Sequence, residues 1–305
     1  MTSESAFVEM MRTIANDPAA RGLKDDTAVI QLGNKTLILT HDMMAEDVHW
    51  LPNADPADIA WKLVSVNLSD LAAKGARPLG VLLGFMLGDS DWDRRFADGL
   101  RAVLTHYDVP LLGGDTVSNR GDKRALGMTA VGAATCTPVP ARSGAQAGDA
   151  LYVTGTLGDA LAGFEFAEAG LDGPEPLMSA YHRPDARLAE GQALAPLAHA
   201  MMDVSDGLLL DAERIAFASR LALEIDLAAI PLSTAYTQTR GAGLDSRMQA
   251  ASWGDDYQLL FAAPADMPLP VPATRVGAFH AGSGLSLTHA GVAIPLPASL
   301  GYHHS

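Results

Sequence analysis

Residues 55–75 read Asp-Pro-Ala-Asp-Ile-Ala-Trp-Lys-Leu-Val-Ser-Val-Asn-Leu-Ser-Asp-Leu-Ala-Ala-Lys-Gly, and the fold class turns on this stretch. Asp55 suits a helix N-cap, Pro56 the first helical position and Asp58 the first turn, where an acid complements the helix dipole. Gly75 can close the helix in the left-handed conformation. The pattern predicts a helix from Pro56 to about Lys74. Outward from it, residues 36–40 read as a strand ending at His41-Asp42, and residues 81–87 as a buried strand. A second helix is expected over 91–107, a short strand over 109–112 that enters Gly113-Gly114, and a further strand over 125–136. Alternating strands and helices define an α/β chain.

The composition changes at Thr137-Pro138-Val139-Pro140, which marks a candidate boundary between residues 1–137 and 138–305. Beyond it the pattern gives a strand over 149–154, a helix over 157–169 and another over 188–201. A helix follows Asp206-Gly207 to about 220, then a turn and strand over 252–262. From Pro264 the chain reads as strands and loops, with His303 and His304 in a solvated tail.

With 305 residues, 48% hydrophobic and 19% charged, the chain has material for one large domain or two ordinary ones. Its 21 basic against 36 acidic residues give a formal charge of -15, which argues against nucleic acid and against anionic membranes. Cys136 is the single cysteine, so no intrachain disulfide can form, which fits a reducing cytoplasm. It lies in an apolar alternating run and is expected to be a buried, inert thiol. Glu4 and Glu9 precede Arg12, unlike the basic start of a signal peptide, and no apolar run is long enough to span a membrane.

Six acidic clusters sit beside turn glycines or the ends of apolar runs: Asp25-Asp26, Thr40-His41-Asp42, Asn67-Leu68-Ser69-Asp70, Gly113-Gly114-Asp115, Asp203-Val204-Ser205-Asp206-Gly207 and Gly254-Asp255-Asp256-Tyr257. Carboxylates at the edge of a core need a cation or several donors. Lysine and arginine look scarce around them in the sequence, so a divalent metal is the expected counter-charge. Oxygen-only donors suit magnesium, manganese or calcium rather than zinc. Ile59, Leu63, Val66 and Asp70 are spaced four, three and four apart, so Asp70 shares the core-facing stripe near a helix C-terminus. It needs either a metal or hydrogen bonds from a neighbouring loop. Gly113-Gly114 at a strand end would let backbone amides approach a ligand, or make an ordinary turn. In 203–207, Asp203 and Ser205 fall on one side of an extended segment, and Ser205 or Asp206 is expected to cap the next helix.

The chain has no Gly-x-x-x-x-Gly-Lys-Ser/Thr loop, no protein-kinase motif set, no EF-hand spacing and no zinc-type cluster of histidine or cysteine. Nucleotide, if it binds, binds to another architecture.

The motifs resemble those of the thiamine-monophosphate kinase family, in the superfamily of aminoimidazole ribonucleotide synthetase and selenophosphate synthetase. The resemblance rests on Asp-Asp-x-Ala at 25–28, Asp42 with His49, Asp-Pro-Ala-Asp and Asn-Leu-Ser-Asp-Leu-Ala-Ala to 73, and Gly-Gly-Asp-Thr at 113–116. It continues with Arg-Ser-Gly at 142–144, Tyr-Val-Thr-Gly at 152–155, Asp-Val-Ser-Asp-Gly-Leu at 203–208 and Gly-Asp-Asp-Tyr at 254–257. No cysteine stands near the amino terminus, as a selenophosphate synthetase would have, or at the end, as a hydrogenase-maturation dehydratase would have.

The resemblance implies a two-domain α/β (α+β) fold. Its amino-terminal strands form a barrel across a homodimer interface, and an α/β carboxyl-terminal domain covers it. It implies transfer of the ATP γ-phosphoryl to thiamine monophosphate. Asp26, Thr40, Asp42, Asp70, Asp115, Asp203 and Asp206 would hold several magnesium ions. Tyr107, Gly114, Arg142 and Ser205 would touch ATP, and His49, Asp255 and Tyr302 would face the thiamine. The chain departs from the family pattern at Lys24, where glycine is usual, at His41 in place of threonine, and at Asp255 in place of glutamate.

Overall fold

A computed structural model describes residues 4–118, 121 and 123–303. In its first half are α1 (Glu4–Arg12), β1 (Ala28–Leu32), β2 (Lys35–Ala45), α2 (Pro56–Ala73), β3 (Ala76–Leu87), α3 (Ser90–Tyr107), β4 (Leu111–Ser118) and β5 (Ala125–Ala134). The second half holds β6 (Asp149–Val153), α4 (Asp159–Glu168), α5 (Glu175–His182), α6 (Leu188–Leu194), β7 (Ala200–Asp203), α7 (Leu208–Ser219) and β8 (Ala222–Asp226). It ends with α8 (Thr234–Arg240), α9 (Leu244–Ser252), β9 (Leu259–Pro264), β10 (Thr274–His280), β11 (Gly284–His289) and β12 (Val292–Ile294).

The helix that decides the fold forms as its caps dictate. The Asp55 carboxylate accepts from the Ala57 amide at 2.9 Å, and Gly75 takes φ +60 as its own amide bonds the carbonyl of Ala72. From Ile59 to Ala73 every residue of α2 except Trp61 is buried. One side of the helix packs on β2 and β5, the other on α6, β7 and β9, while α3 lies along it. Ala72 and Ala73 therefore share a core with Met201, Leu259 and Phe261 of the second half. A helix buried all round is a rod within the core, and this one joins the two halves.

The first sheet has the order β1-β2-β5-β3-β4, antiparallel except for the parallel β3/β4 pair. Two strand boundaries differ from the local pattern. β2 continues past His41-Asp42 to Ala45 because β5 pairs with it, Asp42 opposite Met128 and Ala45 opposite Ala125. Gly113-Gly114 lies inside β4 rather than at a strand end, with Gly114 opposite Leu83 of β3. There it has φ +156, and a Cβ would stand 1.9 Å from the Leu83 carbonyl oxygen, so the close approach made by this glycine is to the neighbouring strand. β3 is not the buried strand expected: Leu82 and Leu87 are exposed, as are Met43, Leu111, Leu112 and Val117.

The second sheet runs β12-β11-β8-β10-β6-β9-β7, antiparallel except for β8/β11. The single helix expected over 188–201 is instead α6 followed by β7. Pro196 disfavours helical continuation, and the amide of His199 and the Ala200 register then belong to β9. Cys136 is half-buried rather than buried, with its Sγ 3.7 Å from the Pro138 carbonyl, and burial raises its thiol. His303 is exposed, and His304 lies outside the described residues. Among the described residues no helix is long and apolar enough to cross a membrane.

Candidate active site

A cleft of about 610 Å³ opens where the first sheet, α2 and the second half meet. Three residues of α2 line it, Lys62, Val66 and Asp70, at positions i, i+4 and i+8 of one helical face. The helix therefore runs along the cleft, from a cation at one end to an anion at the other.

At the Asp70 end, carboxylate oxygens of Asp26, Asp70 and Asp203 lie within 4.8 Å of one another. Asp42 and Asp206 line the same end. The Asn-Leu-Ser-Asp cluster of α2 ties the group together. The Asn67 side chain accepts from the Asp42 amide at 3.0 Å, Ser69 Oγ donates to Asp203 Oδ2 at 2.5 Å, and Asp70 accepts from the Thr40 hydroxyl. Both readings of Asp70 thus meet, since it takes a neighbour's hydrogen bond and also stands in a triad. Burial, then the charges of Asp42, Asp203 and Asp26, push the Asp70 carboxyl well above its usual range. Burial, followed by the charge of Asp26, raises Asp203 to about 8, and burial with Asp26 and Asp206 raises Asp42 to about 6.

The expected scarcity of basic residues holds in sequence but not in space. Lys74, fully buried, lies 2.6 Å from Asp25 and 2.5 Å from Asp26, and Arg21 lies 2.6 Å from Asp25. Arg142 reaches Asp26 through Nε at 2.8 Å. Burial alone would raise Asp26, but the Arg142 and Lys74 charges outweigh it and hold that carboxyl well below the usual range. These cations stand on the Asp25-Asp26 side, and Asp70 and Asp203 pair with none of them. Three converging carboxylates, two with raised pKa, form an oxygen-only donor set fit for a hard divalent cation.

The loop after β7 is braced rather than capped. α7 begins at Leu208 with Gly207 at its N-cap and no side-chain cap bond, so neither Ser205 nor Asp206 caps it. Instead the Ser205 and Asp206 amides both donate to Asp211 Oδ2 at 3.1 Å. Asp206 itself pairs with Arg214 at 2.6 Å. From outside, the Asp255 amide bonds the Ser205 carbonyl, the Tyr257 amide that of Val204, and the Tyr302 amide that of Asp206. Gly254 allows this contact. It sits at φ +109, and a Cβ there would meet the Ser205 carbonyl oxygen at 2.4 Å.

At the other end of the cleft His49 and Asp255 stand beside Lys62, while Tyr302 lines the cleft from the segment that bonds the Asp206 carbonyl. His49 Nδ1 accepts from the Ala45 amide at 3.0 Å. Asp255 accepts from Lys62 at 2.6 Å and from the Tyr257 hydroxyl at 2.9 Å. Phe164 packs against both Tyr181 and Trp253, with ring centres 5.6 and 5.1 Å apart, to form an aromatic wall. Sequence reading missed this wall and Lys62. The 62–66–70 spacing could have disclosed Lys62, whereas nothing local joins residues 164, 181 and 253.

Of the residues singled out from sequence, Asp26, Asp42, Asp70, Asp203, Asp206, Arg142, Ser205, His49, Asp255 and Tyr302 line this cleft, with Thr40 behind Asp70. Three do not join them within the chain. Gly114 and Asp115 lie on the exposed edge strand β4. The Tyr107 hydroxyl, pushed up to about 12 chiefly by burial, donates to Asp185 and accepts from the Ala186 amide.

Two sheets joined through a buried helix, with an acidic cleft between them, define the class of the AIR synthase related proteins. Their N-terminal domain profile matches residues 24–134 and their C-terminal domain profile residues 146–263. Thiamine-monophosphate kinase of Escherichia coli K12 is 40% identical over 254 residues, covering 80% of this chain and 76% of the relative. The Salmonella typhimurium enzyme of the same name is 38% identical over 304 residues, covering 93% and 91%. The solved structure of AaThiL complexed with AMPPCP and TMP superposes with a TM-score of 0.88 at 30% identity, covering 99% of this chain and 97% of that one. The chain belongs to the thiamine-monophosphate kinase family.

Proposed function

We propose that this chain phosphorylates thiamine monophosphate to thiamine diphosphate, with the γ-phosphoryl of ATP passing directly to the acceptor phosphate. The observation that carries the reading is one cleft with a carboxylate triad at one end and an aromatic wall at the other. Such a space suits a phosphate on a flat heterocycle. Asp26, Asp42, Asp70, Asp203 and Asp206 are the residues to hold divalent ions, magnesium by their oxygen-only chemistry. Bound there, such ions supply the charge that lets two phosphate groups approach.

Arg142 and Ser205 face the nucleotide in this reading, and His49, Asp255 and Tyr302 the thiamine. The acceptor phosphate is already ionised near neutrality, so no residue need act as a general base. Cys136 does not line the cleft, which leaves it no part as a covalent carrier.

Residues 1–137 serve as the metal- and nucleotide-binding, dimer-forming domain and 138–305 as the α/β domain covering it. A homodimer accounts for the apolar residues left exposed on β3 and β4 and for Gly114 and Asp115 outside the cleft. The single cysteine fits a reducing compartment, and the cytoplasm is the one assigned.

The test is turnover of thiamine monophosphate with ATP and magnesium. Thiamine diphosphate should form, excess chelator should abolish it, and magnesium should restore it. Chiral γ-phosphate should emerge inverted, because direct attack inverts once. Failure to make thiamine diphosphate would sink the reading. Retention of configuration would overturn direct transfer alone.

A further inference from the structure

Lys62 joins the two residues assigned to the acceptor, and it does so from the helix that carries Asp70. Its side chain is 5% exposed. Its Nζ lies 2.6 Å from Asp255 Oδ2, 3.4 Å from the His49 carbonyl oxygen and 4.6 Å from the centre of the Tyr181 ring. An ammonium has three N–H donors, and these two oxygens and the aromatic face take up the three directions. The group therefore holds the wall of the cleft rather than reaching for a ligand.

What it holds is a segment that needs holding. Asp255 and Tyr257 stand at φ +59 and +48, a conformation disfavoured for residues with a side chain and kept only where the surroundings enforce it. The surroundings are the Tyr257 hydroxyl on one Asp255 oxygen, Lys62 on the other, and the amide bonds from Asp255 and Tyr257 to residues 205 and 204.

We propose that Lys62 is a positioning residue for the acceptor: it fixes the Asp255 carboxylate and the turn at His49 in the geometry that thiamine monophosphate meets. This rests on the functional reading above. The pair is buried on the lysine side and more open on the aspartate side, where side-chain exposure is 28%. Substrate can thus meet the carboxylate while the ammonium stays behind it.

The experiment compares wild type, Lys62→Met, Asp255→Asn and the double variant, with KM for each substrate, kcat and thermal unfolding measured on each. Lys62→Met keeps the apolar stem and removes the charge. KM for thiamine monophosphate should rise about tenfold or more, the scale of a hydrogen bond to a charged group. KM for ATP and kcat should each move less than about threefold. Asp255→Asn should show the same split. In its presence Lys62→Met should add less than about threefold, because the two side chains act as one unit.

A merely structural lysine would give a different pattern: a lower melting temperature, both KM values raised together, and independent effects in the double variant. That pattern overturns the proposal. Should Lys62→Met not fold, Asp255→Asn decides, and an unchanged KM for thiamine monophosphate in that variant overturns it equally. A wild-type protein that does not phosphorylate thiamine monophosphate removes the functional reading and this inference with it. Wild-type turnover without the split removes the inference alone.

Discussion

At Asp70 two effects that disfavour an anion coincide, burial and a place near the C-terminal end of a helix, and two more carboxylates stand against it. Its position on the apolar stripe was legible from the spacing of Ile59, Leu63 and Val66. Its neighbours were not, since Thr40, Asp26 and Asp203 come from distant parts of the chain and meet only in the fold. Replacing it with Asn keeps the shape and removes a charge that the metal-free protein does not need. Asp70→Asn should therefore unfold no earlier than wild type without metal, by calorimetry, yet lose roughly a hundredfold or more in turnover, the scale of one strong electrostatic contact. Asp115→Asn should lose as much if a second copy brings β4 to the site. Wild-type rates in either variant would remove that residue from the metal set.

The elements most legible from sequence were those whose ends are chemically local. Helix α2 is bounded by Asp55-Pro56 and Gly75, and both boundaries were readable because capping involves only neighbours. Strand ends were less so, because a partner decides them: β5 carries β2 on to Ala45, and β3 draws Gly113-Gly114 into β4. The loop at 254–257 depends on a partner as well, as Gly254 meets Ser205 across the cleft wall. Gly254→Ala would suffer both a strained φ and a collision with a backbone oxygen. Gly170, at φ +65 with nothing within 4 Å of a Cβ, would suffer the first alone. By chemical denaturation Gly170→Ala should cost about 1 kcal/mol and Gly254→Ala at least about 1 kcal/mol more. Equal costs would mean the contact with Ser205 yields freely.

The acidic cleft gives the whole molecule a dependence on pH. Asp42, Asp211 and Asp203 are raised to about 6, 7 and 8, each chiefly by burial. Each therefore binds a proton more firmly folded than unfolded. The stability so gained is complete below the unfolded value of about 4 and is lost as pH rises through those three values. Asp26 is shifted the other way, but its contribution is lost only in acid below that window. His182, lowered by burial, also opposes the trend, but Asp70 and Asp256, both raised chiefly by burial, reinforce it. The metal-free protein should melt at progressively lower temperature from pH 5 to 8.5, and magnesium should flatten that decline by supplying the missing counter-charge. A metal-free melting temperature that rises over the same range would contradict the assignment of these carboxylates.

The 62–66–70 face of α2 also sets a length. Eight residues of helix advance about 12 Å along the axis, and an α-helix neither stretches nor shortens without breaking its hydrogen bonds. Because both ends of the cleft are fastened to one rod, the interval between the ring that is recognised and the phosphate that reacts is gauged by the backbone itself. Loops can adjust their grip on an acceptor, but they cannot rescale this ruler. A thiamine analogue with one added methylene between ring and phosphate should still be held by its ring, yet carry its phosphate out of line with the carboxylates. Discrimination by reach would then appear in kcat, whereas discrimination by shape would appear in KM.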